Sequence, residues 1–517
     1  MHDYVVVGAG SAGCVLAARL TEDPQTRVLL LEAGGSDRRN EIRIPAAFSK
    51  LYRSDLDWNY FTEPQAELDG RRIYWPRGKA LGGSSSINAM MAIPGHASDY
   101  DGWAALGATG WSYADVAPAY GRVYDTLGVE ELRDPNPLTR AFIDAAVAAG
   151  IGPSTLTLTD LDGVRQTPVT QRRGRRWSAV DAYLRPALRR ANLAVETGAH
   201  ATRVLFDGRR ATGVEYVRNG IRRTAAAREV ILAGGAINSP QLLLVSGIGP
   251  ADELTRHGIP LVHELAGVGA NLQDHFGAGI LVSSLRPVTL FAAERPRQLV
   301  RYLAMRRGML TSNVAEAAAF VRTRPGLSAP DVELVFAPVL YDNEGLEPPR
   351  AHGFTIGVIA LQPQSSGTIR LRSADPLDAP AIDPRYLSDA GGEDLKTLLA
   401  GIELARRIVS MPAFAGLAGE EIEPGARPVE ELLRAKAHTL YHPVGTCRMG
   451  TDPLAVVDPE LRVNGVEGLR VVDASVMPRI PCGHTHLPTL MIAERAVELL
   501  RGEAPRDSVT VGASAPS

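Results

Sequence analysis

Glycines, one acidic residue and two short apolar runs near the start of the chain have the spacing of a dinucleotide-binding turn. Residues 4–7 and 27–31 are apolar runs that predict two buried strands. Gly8, Gly10 and Gly13 follow the first strand, and Glu32 ends the second, 19 residues beyond Gly13. Such glycines allow a tight turn and a close approach of pyrophosphate, while the carboxylate accepts from a ribose hydroxyl. We therefore predict a dinucleotide site, and Glu32 argues against a ligand with a 2′-phosphate.

A second segment without apolar bulk occupies residues 75–88, with the sequence WPRGKALGGSSSIN. A packed helix or strand disfavours such a run, because each ordered glycine costs backbone entropy and contributes no packing. Backbone N–H groups, hydroxyls and two cations suit a loop that lies against a polar, anionic ligand. An ordinary glycine- and serine-rich surface loop is the alternative for this segment taken alone.

Size and charge narrow the classes of protein to consider. The chain has 517 residues, 45% of them hydrophobic, with a net charge of −3 and a pI near 6.4. This length can bury a large core and implies more than one structural domain. A weakly acidic balance gives no electrostatic reason to expect nucleic acid or an anionic membrane as a partner.

Three cysteines, Cys14, Cys447 and Cys482, are too few and too scattered to form a disulfide framework. We interpret them as buried neutral thiols, although Cys447 and Cys482 flank histidine segments and a role in a site stays open. Their spacing from the histidines matches no metal motif, so no metal is expected.

The start of the sequence and its apolar runs indicate the cellular compartment, and its last residues indicate a tail. The sequence enters its first strand without a charged and apolar leader, and no apolar run approaches the ~20 residues that span a bilayer. We expect a cytoplasmic protein without a membrane span. Residues 503–517 are small, polar and proline-containing, which predicts a disordered tail.

The order of predicted elements changes along the chain. Residues 194–197, 203–206 and 229–233 predict strands, and the last is followed by another glycine-rich turn and a helix. After about residue 301, the predicted strands at 332–335, 354–361 and 368–371 lack the alternation of strand, glycine turn and helix. Residues 489–500 predict a final helix.

Ordered motifs along the chain make it resemble the glucose–methanol–choline (GMC) oxidoreductases, a family of flavoproteins that oxidise alcohols. Besides the two segments above, the motifs are GAINSPQLL at 235–243, closed by SGIG at 246–249, VGANLQDH at 268–275, YHPVGTCRMG at 441–450, and VVDASVMP at 471–478. The segment GHTHLPT at 483–489 matches another family motif. The resemblance extends over nearly the whole chain.

The resemblance implies an α/β fold with two domains. One is a discontinuous Rossmann-like FAD-binding domain, expected at residues 1–155, 190–300 and 440–502. The other is a substrate domain with an antiparallel sheet laid over the flavin, expected at residues 156–189 and 301–439. Its partners would be a small alcohol and an electron acceptor, oxygen or another.

The resemblance also implies which residues contact the cofactor. The expected FAD-binding residues are Gly8, Gly10, Ser11, Ala12, Gly13, Glu32, Ala33, Arg77, Gly82, Gly83, Ser84, Asn88, Val204, Asp473 and Ala474. Val204 would lie on the adenine side. Some relatives attach FAD through a histidine just before the asparagine that matches Asn88. Here Ile87 stands at that position, so non-covalent FAD is expected.

Two histidines match the family's catalytic positions. Oxidation of an alcohol by a flavin requires loss of the hydroxyl proton and of a hydride, and a neutral imidazole is a suitable proton acceptor near pH 7. His442 matches the catalytic histidine and His486 the second position, which is Asn or His in the family. We expect the pair to bracket the alcohol oxygen. The alternative is two core histidines bonded to backbone.

Other positions concern the substrate. Glu316 is a candidate for holding a cationic substrate such as choline, although a solvated or salt-bridged glutamate is the preferred interpretation. His484 replaces the asparagine that is usual in the family and is a second candidate substrate contact. Ala92 and Pro94 stand where relatives carry Tyr and Arg, which predicts a smaller, less polar wall.

The leading function is FAD-dependent oxidation of a primary alcohol to an aldehyde. The alternative is a lyase of the same family, either a hydroxynitrile lyase or a light-driven decarboxylase. A flavin-binding structural protein is disfavoured because both histidines are present. The sequence names neither the alcohol, the electron acceptor nor the oligomeric state.

Overall fold

The computed structural model describes residues 1–502 and contains two large sheets. The predicted tail at 503–517 lies outside the described residues. The first sheet has seven strands, and its core is parallel. In spatial order its strands are Leu193–Thr197, Val28–Glu32, His2–Val7, Ile221–Leu232, Arg210–Arg218 and Ala199–Asp207, with Leu469–Val471 paired to Ile221–Leu232.

The parallel strands are apolar because helices cover them. Every residue of Val28–Glu32 is buried, as expected for a strand that is covered on both faces. The covering helices include Ser11–Leu20, Tyr113–Leu127, Gly235–Val245 and His486–Arg501. Strands Arg210–Arg218 and Ala199–Asp207 extend the sheet in antiparallel fashion. The carboxyl ends of the central strands meet the glycine-rich turns at Gly8 and Gly234, which is where such folds bind dinucleotides.

The second sheet also has seven strands, and all its pairings are antiparallel. Its strands are, in order, Ala418–Glu423, Phe276–Ser284, Gly353–Ala360, Val332–Ala337, Ala317–Val321 and Gly163–Gln166, with His438–Thr439 paired to Phe276–Ser284. One face of this sheet is covered by the helices Pro137–Ala148 and Glu393–Val409. The remaining α-helices of four residues or more in the described part of the chain are Asn40–Arg43, Ala97–Ala105, Ala251–Arg256, Pro296–Met305 and Val429–Lys436.

Packing divides the chain differently from the predicted ranges in three places. The strand Phe276–Ser284 lies in the second sheet, although the range 190–300 placed it with the first. Pro137–Ala148 packs on the second sheet, where Phe142 stacks on Phe336 with ring centroids 4.9 Å apart. Conversely, the helical segment Val180–Leu184 packs into the core of the first unit. Contacts between residues distant in sequence determine which sheet each of these segments packs on, and no local sequence pattern predicts those contacts.

Three smaller expectations concern buried residues. The cysteines are free and buried, and burial raises the pKa of the Cys447 and Cys482 thiols well above their ordinary value. Ala92 and Pro94 are buried outside the cavity described below, so they do not form its wall as predicted.

Within residues 1–502, no helix has the length and apolar character needed to cross a membrane.

Candidate active site

A cavity of about 640 Å³ runs between the two sheets. Its floor consists of the glycine-rich turns of the first unit, and its roof is the inner face of the second sheet. The predicted residues on its wall are Gly8, Gly10, Ser11, Ala12, Glu32, Ala33, Arg77, Gly83, Ser84, Asn88, Asp473, Ala474, His442, His484 and His486. A cavity of this size suits an extended cofactor and a small substrate.

The first glycine-rich turn leaves an open cradle. A Cβ on Gly10 would meet only the carbonyl oxygen of Ala233, at 4.0 Å, so this position faces free space. A Cβ on Gly13 would stand 1.9 Å from the carbonyl oxygen of Gly8, so Gly13 serves close helix–strand packing. The helix Ser11–Leu20 starts without a side-chain cap, which leaves backbone N–H groups for an anion. This arrangement fits the pyrophosphate of a dinucleotide.

The carboxylate of Glu32 lies beside this cradle. One of its oxygens accepts from the backbone N–H of Ala9 and the other from that of Gly34, both at 2.8 Å. Burial raises the pKa of Glu32 to about 7, although the two N–H bonds favour the ionised form. Each oxygen keeps a second lone pair that can accept from a ribose hydroxyl.

Beyond Glu32 the wall is aromatic. Trp58 stacks on Tyr60 and meets the ring of His200 edge-on at 5.3 Å, and Lys79 Nζ lies 4.5 Å from the Trp58 ring. Val204, the predicted adenine-side residue, is buried behind this wall, where its N–H donates to Ser246 Oγ. The strand reaches the cavity at residues 199–201 instead, because pairing sets which end of a strand borders the cavity.

The loop at 75–88 closes over the first turn. Gly82 N–H donates to the Ala9 carbonyl, and a Cβ on Gly83 would stand 2.8 Å from the Cα of Gly10. Gly82 itself does not border the cavity but sets this close approach with a φ of 89°. Asn88 Oδ1 accepts from Arg176, a buried arginine that sequence reasoning missed.

Asp473 joins the second glycine-rich turn to the cavity. Its Oδ2 accepts from the N–H of Gly235 and from Ser239 Oγ, and its Oδ1 accepts from the N–H of Ser475. Burial raises the pKa of Asp473, and these donors oppose that rise. The carboxylate therefore joins two segments distant in sequence, 235–239 and 473–475, at the cavity.

His442 belongs to a cluster of three histidines. Its Nδ1 lies 3.0 Å from Nδ1 of His275, and its ring centroid is 4.7 Å from that of His484. The backbone N–H of His442 donates to Asp274. Burial holds the pKa of His442 well below its ordinary value, with smaller contributions from His484, His275 and Arg77, so the ring is neutral.

His275 determines which nitrogen of His442 carries the proton. Nε2 of His275 lies 3.1 Å from the carbonyl oxygen of Leu361, which can only accept, so this nitrogen is protonated. Burial lowers the pKa of His275 to about 3, so the ring is neutral and its Nδ1 is an acceptor. With His275 in this tautomer, His442 donates from its own Nδ1, which leaves Nε2 of His442 with a free lone pair.

The other two predicted site histidines have different partners. Nε2 of His484 lies 3.0 and 3.1 Å from the two carboxylate oxygens of buried Glu333. Nδ1 of His486 lies 3.1 Å from Ser11 Oγ, and its Nε2 is buried with no partner in residues 1–502. In the same range, no hydrogen bond or ring contact joins His442 to His486. His486 thus faces the cavity from the glycine-turn side.

Glu316 does not face the cavity. It is 1% exposed and accepts from the N–H of Asn136, from Thr139 Oγ1 and from Ser312 Oγ. The structure therefore differs from both sequence interpretations, a substrate carboxylate and a solvated or salt-bridged one. Its role is to join the loop before Pro137–Ala148 to the second sheet.

Sequence reasoning missed His275 and Glu333. His275 ends the motif VGANLQDH at 268–275, but the motif alone predicted no role for it. Glu333 is an acid inside an apolar predicted strand, and such a residue signals a buried partner. Residues 1–502 contain no cluster of three His, Cys, Asp or Glu residues suited to a metal ion.

Comparison with known proteins agrees with this geometry. Two GMC oxidoreductase family models match residues 2–277 and 363–493, so the chain belongs to the GMC oxidoreductase family and is an FAD-dependent oxidoreductase. It is 44% identical to an alcohol dehydrogenase [acceptor] of Pseudomonas putida, over 97% of this chain and 96% of that protein. It is also 44% identical to human mitochondrial choline dehydrogenase, over 97% and 90%.

A solved structure shares the whole architecture. Pyridoxine 4-oxidase from Mesorbium loti superposes with a TM-score of 0.88 at 31% identity, covering 98% of this chain and all of that one. The predicted family and α/β fold class are thereby confirmed.

Proposed function

We propose that this enzyme oxidises a primary alcohol to an aldehyde, with Nε2 of His442 as the acceptor of the hydroxyl proton. Bound FAD supplies the acceptor for the hydride that leaves the alcohol carbon. The observation that carries the proposal is the chain of hydrogen bonds from Leu361 through His275, which leaves Nε2 of His442 unprotonated in a cavity-lining ring. A positioned base of this kind contributes about 10²–10⁴-fold to rate.

His486 and His484 have supporting roles in this proposal. His486 has an unpartnered Nε2 at the cavity and can bond to the alcohol oxygen or to the cofactor. His484 is held by Glu333 and fixes the wall next to His442. Arg176 is a buried cation that favours negative charge near Asn88.

The substrate class follows from the wall on the second-sheet side. On this side the cavity is lined by Val314, Ala315, Val335, Ile359 and Leu440, together with Tyr341 and the acids Asp342, Glu347 and Glu423. Neither buried acid of this region faces the cavity, because Glu316 and Glu333 are both bonded elsewhere. The three acids on this wall are paired with cations: Asp342 with Lys436, Glu423 with Arg427 and Glu347 with Arg350. We therefore infer an uncharged apolar alcohol as substrate, since a quaternary ammonium ion would have to compete with these cations.

The experiment is an anaerobic panel of alcohols followed by flavin absorbance. Primary alcohols from ethanol to hexanol should bleach the flavin, with the second-order rate constant rising about fourfold per methylene, from ~0.8 kcal/mol for each buried CH₂. Choline should react at least about 100-fold more slowly than hexanol, because its charge must be desolvated. A faster reaction with choline would refute the substrate class.

The panel also separates the two candidate reactions. A lyase would leave the flavin oxidised with every alcohol in the dark. Cleavage of a hydroxynitrile in the dark, or loss of CO₂ from a carboxylic acid on illumination, would replace the proposed oxidation.

We also propose that FAD is bound without a covalent link. Ile87 borders the cavity, and an aliphatic side chain cannot bond to the flavin. Acid precipitation should leave the yellow colour in the supernatant. Colour that stays with the pellet would contradict this proposal.

A further inference from the structure

The helix Pro296–Met305 exposes most of its apolar side chains to solvent. Only Gln298 and Tyr302 of its ten residues are buried. Leu299 is 45% exposed, Val300 66% and Leu303 59%. Single exposed apolar residues are normal, but a cluster of this kind on one helix is typical of a binding surface.

The apolar residues share one face of the helix. Pro296, Leu299, Val300 and Leu303 stand at positions i, i+3, i+4 and i+7, which lie on the same side. Gln298 and Tyr302 are four residues apart and form the face that packs on the protein. The helix is therefore anchored by one face and presents a second, apolar face outwards.

Arginines surround this face. Arg297 and Arg301 border it on the helix, while Arg295, Arg306 and Arg307 flank the helix at its ends. Arg307 pairs with Asp134, and Arg306 lies over the ring of Tyr302, 4.8 Å from its centroid. Among the described side chains, no salt bridge involves Arg295, Arg297 or Arg301. This patch is strongly positive on a chain whose net charge is −3.

We propose that the helix Pro296–Met305 lies in the interface of a membrane that contains anionic lipids. An apolar face bordered by arginines is what an interfacial helix requires: the apolar side chains enter the acyl boundary and the guanidinium groups contact phosphates. Charge complementarity selects this partner over a second copy of the chain, because two copies of the patch would repel.

The position of the helix links the membrane to the cavity. Leu290 and Ala293, in the turn just before the helix, pack in one apolar cluster with Ala337 and Tyr341. Ala337 and Tyr341 also border the cavity. A docked enzyme would therefore hold the second-sheet side of its cavity close to the lipid.

The test is vesicle flotation of the FAD-loaded enzyme. We expect binding to phosphatidylcholine vesicles that contain phosphatidylglycerol, much weaker binding to pure phosphatidylcholine, and weakening by salt. Arg297→Gln/Arg301→Gln should weaken binding to the anionic vesicles by at least about tenfold, from ~1 kcal/mol per arginine. Leu299→Ser/Val300→Ser/Leu303→Ser should abolish binding.

Matched variants control for general surface effects. Val147→Ser/Leu377→Ser/Leu454→Ser removes three equally exposed apolar residues elsewhere, and Arg209→Gln/Arg223→Gln removes two other exposed arginines. Both should bind vesicles like the unchanged enzyme, and retained flavin absorbance reports correct folding. Absence of vesicle binding, equal loss in the controls, or a dimer in lipid-free buffer that the serine triple variant dissociates would each overturn the proposal.

Discussion

At the scale of single residues, the neutral imidazole of His442 has one nitrogen that is hydrogen-bonded and one that is not. The hydrogen-bonded Nδ1 donates to His275, which in turn donates to the Leu361 carbonyl. Nothing in residues 1–502 bonds to Nε2 of His442. Proton transfer from substrate therefore depends on a tautomer that neighbouring groups impose.

His442→Ala should retain FAD and lose at least about 10² in the rate of flavin reduction, the low end of a general base's contribution. The cofactor should stay because the glycine turns and Glu32 hold it. Stopped-flow reduction by an alcohol without oxygen measures the rate. A near-normal rate would move the base to another residue, with His486 the first candidate.

His275 should act through the tautomer of His442. His275→Leu removes the acceptor for Nδ1–H and should lower kcat about tenfold, the effect of one hydrogen bond of ~1.4 kcal/mol, with KM little changed. His275→Gln keeps an N–H donor and a carbonyl acceptor, so it should restore most of the rate. Equal losses in both variants would indicate a merely structural role.

The pH profile should follow the lowered pKa of His442. A base with a lowered pKa stays neutral below the usual histidine value of about 6.5. Flavin reduction should therefore stay constant from about pH 8 to pH 6 and decline only in more acidic buffer. A midpoint at or above 6.5 would contradict this environment for the base.

The two catalytic candidates from the sequence can be tested together. The predicted pair should lose activity non-additively if both act on one oxygen, as residues acting as a unit do. His486 bonds to Ser11 through Nδ1, and its Nε2 stays free for the alcohol oxygen on which His442 acts, so His442→Ala/His486→Ala should be scarcely slower than the worse single variant. Flavin reduction rates of the three variants distinguish this outcome from losses that multiply.

At the scale of elements, the turn between the first strand and the first helix shows two uses of glycine. Gly10 has a φ of −73° and open space above it, so a side chain there is compatible with the fold. Gly13 has no such space because of the Gly8 carbonyl. The first position serves the ligand and the second serves packing.

Gly10→Val should fold but retain little FAD, because its side chain would occupy the place of the pyrophosphate. The ratio of flavin to protein absorbance measures this, and circular dichroism checks the fold. Gly121→Ala, in the helix Tyr113–Leu127 where a Cβ meets nothing within 4 Å, is the control and should retain FAD. Full flavin content in Gly10→Val would place the pyrophosphate elsewhere.

At the scale of the whole molecule, the cavity lies between the two units, with glycine turns on one side and the second sheet on the other. A ligand that contacts both units stabilises their association by mass action. Cofactor loss should therefore affect global stability and not only activity.

Adding FAD to the apoprotein should raise the melting temperature progressively, by the equivalent of about 2.7 kcal/mol at 100 times Kd. FMN should give a smaller shift, because it lacks the adenosine that would reach Glu32 and Trp58. Differential scanning calorimetry measures both. Equal shifts with FMN and FAD would indicate that the adenosine side contributes no binding energy.

The sequence by itself determined the family, the dinucleotide turn and fifteen of the residues on the cavity wall. Those features are local: the spacing of Gly8, Gly10, Gly13 and Glu32 follows from one strand, one turn and one helix. The antiparallel character of the later strands was expected from the resemblance to the family's substrate domain.

Only the tertiary structure decided which side chains face one another. Val204 and Glu316 lie in recognised segments but outside the cavity, because strand pairing and loop packing set their direction. His275 acquires a role only because residues 167 positions apart in sequence bring two rings to 3.0 Å. Tautomer, burial and the free lone pair of His442 depend on that long-range contact, which no local pattern encodes.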